Sequence, residues 1–495
     1  MLKRIICVVI ALALFTSLFA CSDSTKGGGS DTKESTTTDP NAGKSNLDIA
    51  LEQQGNVNLE GMTFRILTPN PGSHFYYFSG ATENEVFYEE LGSEPLSNSI
   101  YMRNLEVSEK LGITIEPVWA GNTGDITAMV QQAVNAGDTD AFNVVLNRLD
   151  ALVSNATNGL LLNYYNIDTM NLENKWWDKH IIDAFTMYGN KLYTLSGDIN
   201  YYDDYAVEIV IFNHNICKDA GFDFPYKDVK EGTWTVDKMF TMAALGCSDL
   251  NGDGLFQENV DIVGIGENAD CIIHFIYSYG LKMSETDENG VPVVVWANDQ
   301  NTSVIDELYN YFSDSTLVNI SYSNATAFNN SKEFFYLDML GTLANFRNME
   351  DNFGILPMPK GDPSMDSYKA YVSNGWTTVY GIPSMFNNEQ ANKIGTVLEC
   401  LSAASADHVT PALYDQLLQS KYIRDEESQE MLDYILDSKV YDWAGDLEWA
   451  SSLRGVYQNI LSKGSDSFAS SMESIRRATT KSLEKLAESI AELEY

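Results

Sequence analysis

The chain has 495 residues, 12% of them aromatic, six cysteines and a formal net charge of −39. So large an excess of Asp and Glu excludes nucleic acid and anionic lipid as partners, because phosphate recognition rests on clusters of Lys and Arg. After the first twenty residues there is no second long hydrophobic span, which excludes a transporter or channel.

Lys3 and Arg4 precede an apolar run from Ile5 to Phe19, the order of a secretory signal peptide over residues 1–20. The run LFAC, Leu18 to Cys21, resembles a bacterial lipobox, in which Cys21 is lipidated and becomes the new N-terminus; plain secretion is the alternative. Residues 21–58 then read as the lipidated cysteine and a flexible linker, since a stretch so rich in Ser, Thr, Gly and Asp cannot bury a core. A lipid anchor with two or more acyl chains, followed by a tether, describes a protein held at the outer face of a bacterial cell membrane. The folded body starts near Leu59, and about 435 residues are more than one core accommodates, so two or more lobes are expected. Cys217, Cys247, Cys271 and Cys400 show no metal spacing and read as buried small apolar residues, with one pair within 217 to 271 left open.

In chain order, MTFRILTP alternates apolar and polar residues before Pro69, as a first strand does. In SNSIYMRNLEVSEKLG, Ile100, Leu105, Ser108 and Leu111 recur at helical spacing, with Ser97 as N-cap and Gly112 as the residue past the end. ITIEPVW reads as strand, a helix through Ile126, Met129, Val130 and Val134 ends at Gly137, and AFNVVLN is strand again. Strand alternating with helix implies parallel βα units. Asn147 and Arg148 fall at the end of that third strand, where ligands of open α/β sheets collect. Trp176 and Trp177 read as packing residues, because neighbours on a regular element point opposite ways.

KLYTLSGDINYYDDYAVEIVIFNHN, residues 191 to 215, joins two habits. Its second half, Val207 to Phe212, is the β-branched run of a buried strand; its first half crowds Tyr201, Tyr202 and Tyr205 around Asp203 and Asp204. The segment reads as a crossing between two lobes with ligand groups at the crossing. In GTWTVDKMFTMAAL, Thr235 is an N-cap and Met239, Met242 and Ala243 share a face. DLNGDGLFQENVD resembles a calcium loop, with side-chain oxygens at Asp249, Asn251 and Asp253, the Leu255 carbonyl, a turn at Gly254, and Asp261 or Glu258 to close it. Its expected role is structural, and no organic cofactor is expected. Further on, YVSNGWTTVYGIPS is a strand with Trp376 at its mouth, and Leu483, Leu486, Ile490 and Leu493 mark a C-terminal packing helix.

Taken in order, LFAC, SNSIYMRNLEVSEKLGI, WWDKHIIDAFTMYGNKLYTLSGD, FDFPYKDVKEGTWTVDKM, DLNGDGLFQENVDIVGIG, NFGILPMPKGD and SKYIRDEESQEMLDYI resemble the family 1 extracellular solute-binding proteins, lipoprotein receptors of ABC importers for sugars. The resemblance covers nearly the whole mature chain. One departure is FNNSK at 328 to 332, where the family often has glycine before lysine. What the resemblance implies is a two-lobed α/β, periplasmic-binding-protein-like (type II) fold with hinge crossings near 196–204, 355–361 and 405–415. The N-terminal lobe would hold 59–198 and 356–410, and the C-terminal lobe 199–355 and 411–495. The function implied is capture of a carbohydrate or oligosaccharide by lobe closure and delivery to the permease subunits of an ABC transporter, by a monomer that meets the membrane through its lipid only. Sugar C–H faces pack on aromatic rings while hydroxyls bond to Asp, Asn and Arg, which makes Asn147, Arg148, Tyr201, Tyr202, Asp203, Arg347, Trp376 and Trp443 the candidate ligand residues.

Two other classes compete. A secreted carbohydrate-active enzyme needs paired carboxylates, and Asp203 and Asp204, on opposite faces of an extended chain, do not supply them unless the loop bends. GIGENA nominally fits a dinucleotide loop but does not follow a first strand. A surface adhesion lipoprotein would need no hinged cleft.

Overall fold

Three strands open the fold: β1 (Thr63–Pro69), β2 (Thr114–Ala120) and β3 (Val144–Arg148), each separated from the next by a helix, Pro95–Leu111 and then Thr123–Ala136. The structure is a computed structural model whose described residues are 41, 43–71, 84–257, 260–266, 271–295, 299–314, 317–319, 325–373, 375–419, 425–446, 455–457, 459–460 and 463–493. The signal-peptide segment, Cys21 and Glu258 lie outside them. β1 pairs in parallel with both β2 and β3, as the alternation of strand and helix requires.

Both helices stop where expected, at Gly112 (φ 70°) and Gly137 (φ 64°), left-handed positions that glycine takes without a Cβ penalty. The first helix differs at its start and in its face. Pro95 occupies its first turn, so Ser97 is inside it, and Leu105 is exposed while Arg103 and Asn104 are buried. The reason is a hydrogen-bonding one. Arg103 donates to the carbonyls of Glu85 and Val86 at 3.1 and 3.0 Å, and Asn104 to that of Val86 at 2.8 Å.

The ordered body begins earlier than Leu59. Helix Asn46–Gln53 buries Leu47, Ala50 and Leu51, and the Asp407 carboxylate accepts from the Asn46 and Leu47 amides at 3.0 Å each. Residues Ser45–Tyr495 form one unit.

The second sheet is built from β4 (Glu208–Asn213), β5 (Val263–Gly266), β8 (Val318–Asn319), β9 (Glu333–Met339) and β10 (Phe353–Pro357), in the order β10-β4-β9-β5-β8; between them β6 (Ser284–Thr286) and β7 (Pro292–Val294) form a small hairpin. Every residue of β4 is buried, as its β-branched run foretold. Ser331 stands in the left-handed region (φ 56°), where the family often has glycine, and its hydroxyl is held by Asp351 at 2.5 Å.

The chain then forms a short pair, β11 (Ala370–Tyr371) with β13 (Lys439–Val440), and returns to the first sheet as β12 (Thr378–Gly381), antiparallel to β3. Helix Asn388–Gln419 packs on Pro95–Leu111 and carries Pro411 inside it, so the third expected crossing, 405–415, falls within a helix. The C-terminal helix Phe468–Glu492 buries Leu483, Leu486 and Ile490 and packs against both β7 and helix Leu149–Thr157. Among the described residues no helix is long and apolar enough to cross a membrane.

Trp176 and Trp177 are buried, as packing residues should be, but they share a target. Both indole N–H groups donate to Glu399, at 2.8 and 3.0 Å, because the chain there is a turn and not a regular element. Gly197 is fixed by the same turn, since a Cβ there would lie 2.2 Å from the Trp176 carbonyl oxygen. Cys217, Cys247 and Cys400 are free thiols.

Candidate functional site

In the first sheet, β1, β2 and β3 run parallel, so their carboxyl ends share one edge. Arg148 ends β3, and Thr378, its ladder partner, begins β12 two residues after Trp376. In the second sheet, Glu208 opens β4 opposite Met339 at the carboxyl end of β9, and His274 lies on helix Cys271–Ser278, which follows β5.

The connections between the sheets bring these edges to one place. Val207 bridges to Val372, the Ser373 amide donates to the Ala206 carbonyl at 3.0 Å, and the Leu340 amide donates to that of Val207 at 2.9 Å. Tyr371, on the returning connection, stacks on His274 and Tyr277, with ring centroids 6.0 and 5.2 Å away. The two sheet edges are therefore joined by these crossings, and open α/β sheets bind ligands at such edges.

Two buried acids belong to this region and had no signal in the sequence, because their partners are remote. His274 Nδ1 lies 3.1 Å from Glu208 Oε1, and burial, followed by the nearby Glu208 charge, lifts the neighbouring Asp338 carboxyl to about 7. Glu85 is the second focus. Its Oε1 accepts from the Tyr201 and Tyr202 amides at 2.7 and 3.0 Å and from the Thr378 hydroxyl at 3.1 Å, and burial raises its carboxyl to about 7. A carboxylate from before the first long helix thus ties the crossing to β12.

The sequence candidates divide among several places. Asn147 is buried and donates to the Thr123 carbonyl at 3.3 Å. Arg148 is paired with Asp150, its Nε 3.0 Å from Oδ1, and both line a cavity of about 640 Å³ walled on one side by Thr123 and Ser154 and on the other by Ser482 and Lys485 of the C-terminal helix. Trp376 is half-buried at the mouth of β12.

Tyr201 and Tyr202 are core residues here, their rings 5.1 Å apart and both packed with Tyr205; it is their amides that meet a polar group. Asp203 and Asp204 lie in a helical turn, Tyr202–Tyr205, and not in extended chain. Consecutive side chains in a helical turn diverge less than in a strand, and both carboxylates reach the same ammonium, that of Lys439. Trp443 packs edge-to-face on Phe185 at 4.8 Å and lines a cavity of about 560 Å³ with Tyr277 and Tyr441. Arg347 is exposed at the end of the 3₁₀ helix Leu340–Phe346.

In the acidic loop, Asp249 accepts from the Gly252 and Gly254 amides at 2.7 and 2.8 Å, Asn251 Oδ1 from Asp253 at 2.9 Å, and Asp253 Oδ1 from Leu255 at 2.8 Å. Gly254 has φ 78°, the turn that a calcium loop needs at its sixth place. Asp261 instead clasps the loop, one oxygen on the Leu250 amide and the other on that of Gln257, both at 2.9 Å. The first half of the loop supplies hard oxygen donors that suit calcium. Asp261 is thereby occupied by amides, and among the described residues no group of three His, Cys, Asp or Glu is placed to hold a metal.

No protein-family model matches the chain, and no curated protein matches it. The fold does have likenesses among solved structures. One is the ABC substrate-binding protein Lmo0181 from Listeria monocytogenes in complex with cycloalternan, with TM-score 0.52 and 10% identity over 86% of this chain and 99% of that one. UspC from M. tuberculosis gives TM-score 0.55 and 12% identity, over 85% of this chain and all of the other. A cyclo/maltodextrin-binding protein complexed with maltotetraose gives TM-score 0.52 and 16% identity, over 88% of this chain and all of the other. At such identities the likeness shows the fold, which is a two-lobed α/β, periplasmic-binding-protein-like one.

Proposed function

We propose that the chain is an extracytoplasmic solute-binding lipoprotein, anchored through Cys21, that captures a carbohydrate or oligosaccharide by lobe closure and delivers it unchanged to ABC transporter permease subunits. The observation that supports this reading is the joining of two sheet edges by the crossings, with Arg148 at the carboxyl end of β3 beside a cavity and Trp376 half-buried at the mouth of β12. Two of the structurally similar proteins hold cycloalternan and maltotetraose, and such ligands suit a guanidinium and an indole.

Thermal melts across a panel of oligosaccharides test the reading. At least one should raise the melting temperature and be recovered intact, and Trp376→Ala should weaken that sugar by roughly 30-fold, the effect of losing one aromatic anchor of about 2 kcal/mol. Turnover of the sugar, or no shift across a broad panel, rejects the proposal. For the anchor, Cys21→Ser is expected to move the protein from the membrane fraction to the medium; retention in the membrane would show that the cysteine is not the attachment point.

We also propose that the loop from Asp249 binds calcium through Asp249, Asn251, Asp253 and the Leu255 carbonyl. Chelation should lower the melting temperature, and Asp253→Ala should abolish that response. A melt indifferent to chelator removes the metal from the account.

A further inference from the structure

Among the described residues, the densest ion cluster lies on the connections between the lobes. The Lys439 ammonium is buried and sits 3.1 Å from Asp178 Oδ2 and 3.1 Å from Asp203 Oδ2, with Asp204 also in contact. Asp203 and Asp204 belong to the connection that leaves the first sheet for β4. Lys439 is on β13, whose ladder partner Ala370 is on the connection that returns from β10 to β12. In the same first connection Asp198 accepts from Thr410, at 2.6 Å, on helix Asn388–Gln419, which packs on Pro95–Leu111. One polar cluster therefore touches the outgoing connection and, through β13, the returning one.

A cavity of about 370 Å³ runs beside it, lined by Asp178, Asp198, Asp203, Asp204, Tyr414 and Lys439, so water can enter as the charge changes. Asp203 Oδ1 is buried and has no hydrogen-bond partner among the described residues, the state of a carboxyl oxygen that is costly to ionise.

We propose that this cluster is a charge-controlled lock on the hinge: it holds the lobes in the arrangement of this structure while Asp203 carries a proton and lets them move when the proton is lost. The proposal rests on the two-lobed fold and is independent of which solute is bound. The groups facing Asp203 are Lys439 and Tyr441 at and after β13, Asp178 capping helix Lys179–Phe185 with His180 beside it, and Asp204 on its own turn. Burial is the largest influence on Asp203; Lys439 opposes it, Asp204 and Asp178 add to it, and the carboxyl is pushed up to about 8. Asp178 is buried too, but Lys439 and then His180 hold it well below the usual range, so the proton resides on Asp203. A carboxyl raised in the arrangement of this structure favours that arrangement at low pH, and the preference is lost as pH rises through about 8.

Small-angle X-ray scattering of the full chain with Cys21→Ser, which keeps it free of detergent, reads the lobe separation directly. The radius of gyration should change between pH 6.5 and 9.5 with a midpoint near 8, while Asp203→Asn, which mimics the protonated acid, should keep its low-pH value throughout. Asp204→Asn removes a like charge and should bring the midpoint down by about one pH unit, which provides the test should Asp203→Asn not fold. A radius that does not change with pH in the unsubstituted protein, or one that changes equally in Asp203→Asn, or an unmoved midpoint in Asp204→Asn, overturns the proposal.

Discussion

Replacing Lys439 by methionine should cost about 3–5 kcal/mol of stability, the loss seen when one partner of a buried ion group is removed and the other charges stay behind. Methionine fills most of the space of the lysine stem, so the change isolates the charge. The carboxyl groups of Asp178, Asp203 and Asp204 meet this one ammonium, and that of Asp203 is itself buried. Without it they can remain in place only by taking up protons, which raises their folded-state pKa values. Stability gained from a raised carboxyl is present at low pH and is lost as pH climbs, so the deficit of the variant should be smaller at pH 5 than at pH 8. Urea unfolding followed by tryptophan fluorescence at both values measures it. A loss under about 1 kcal/mol, the size expected of an exposed pair, would show that water already solvates the cluster.

Glu399→Leu is the second large effect. The carboxylate of Glu399 is fully buried and accepts four hydrogen bonds: from the two indoles of Trp176 and Trp177, from the Asn174 amide at 2.9 Å and from the Asn171 backbone at 2.6 Å. Leucine fills the volume and leaves the two indoles and the Asn171 amide without this acceptor, each worth about 1–3 kcal/mol when stranded in the interior, while Asn174 keeps its bond to Gln53 at 2.9 Å. The turn can relax toward water, so the total should fall short of the sum, and a loss of at least ~4 kcal/mol is expected. Glu399→Gln keeps one acceptor oxygen and should lose about half as much. Because two of the donors are tryptophans, the folded variant should also show a red-shifted emission. An unfolding curve for Glu399→Leu that overlays the parent would mean that helix Asn388–Gln419 is held to this turn by its other contacts, among them the Ser402 hydroxyl on the Trp176 carbonyl at 2.9 Å.

These two clusters also show where reading the chain by itself stops. Asp203, Asp204 and the paired tryptophans stood out in the sequence, each for its neighbours, while Lys439 and Glu399 did not. Lys439 lies 236 positions from Asp203, and Glu399 lies 223 from Trp176. No local pattern marks one lysine or one glutamate as the partner. Glu85 and Arg103 were missed for a related reason: polar residues on an amphipathic pattern are assigned outward, and only the carbonyls of Glu85 and Val86 turn Arg103 in. The extended-chain argument that separated Asp203 from Asp204 failed because four residues close into a helical turn, too short to leave a period.

What the sequence determined alone are the features set by local sterics and periodicity: parallel βα units in the first sheet, glycine-ended helices at Gly112 and Gly137, the buried run of β4, the Thr235 cap and the packing face of the C-terminal helix. A side chain and its neighbours two to four places away fix these. Only the tertiary structure decided which candidates meet. It placed Tyr201 and Tyr202 in the core, put Arg148 in one cavity and Trp443 in another, left Arg347 in solvent and drew Glu85, Glu208 and His274 to the crossings. That outcome depends on how two sheets come together through long connections, and burial and charge pairing between remote segments carry no repeat along the chain.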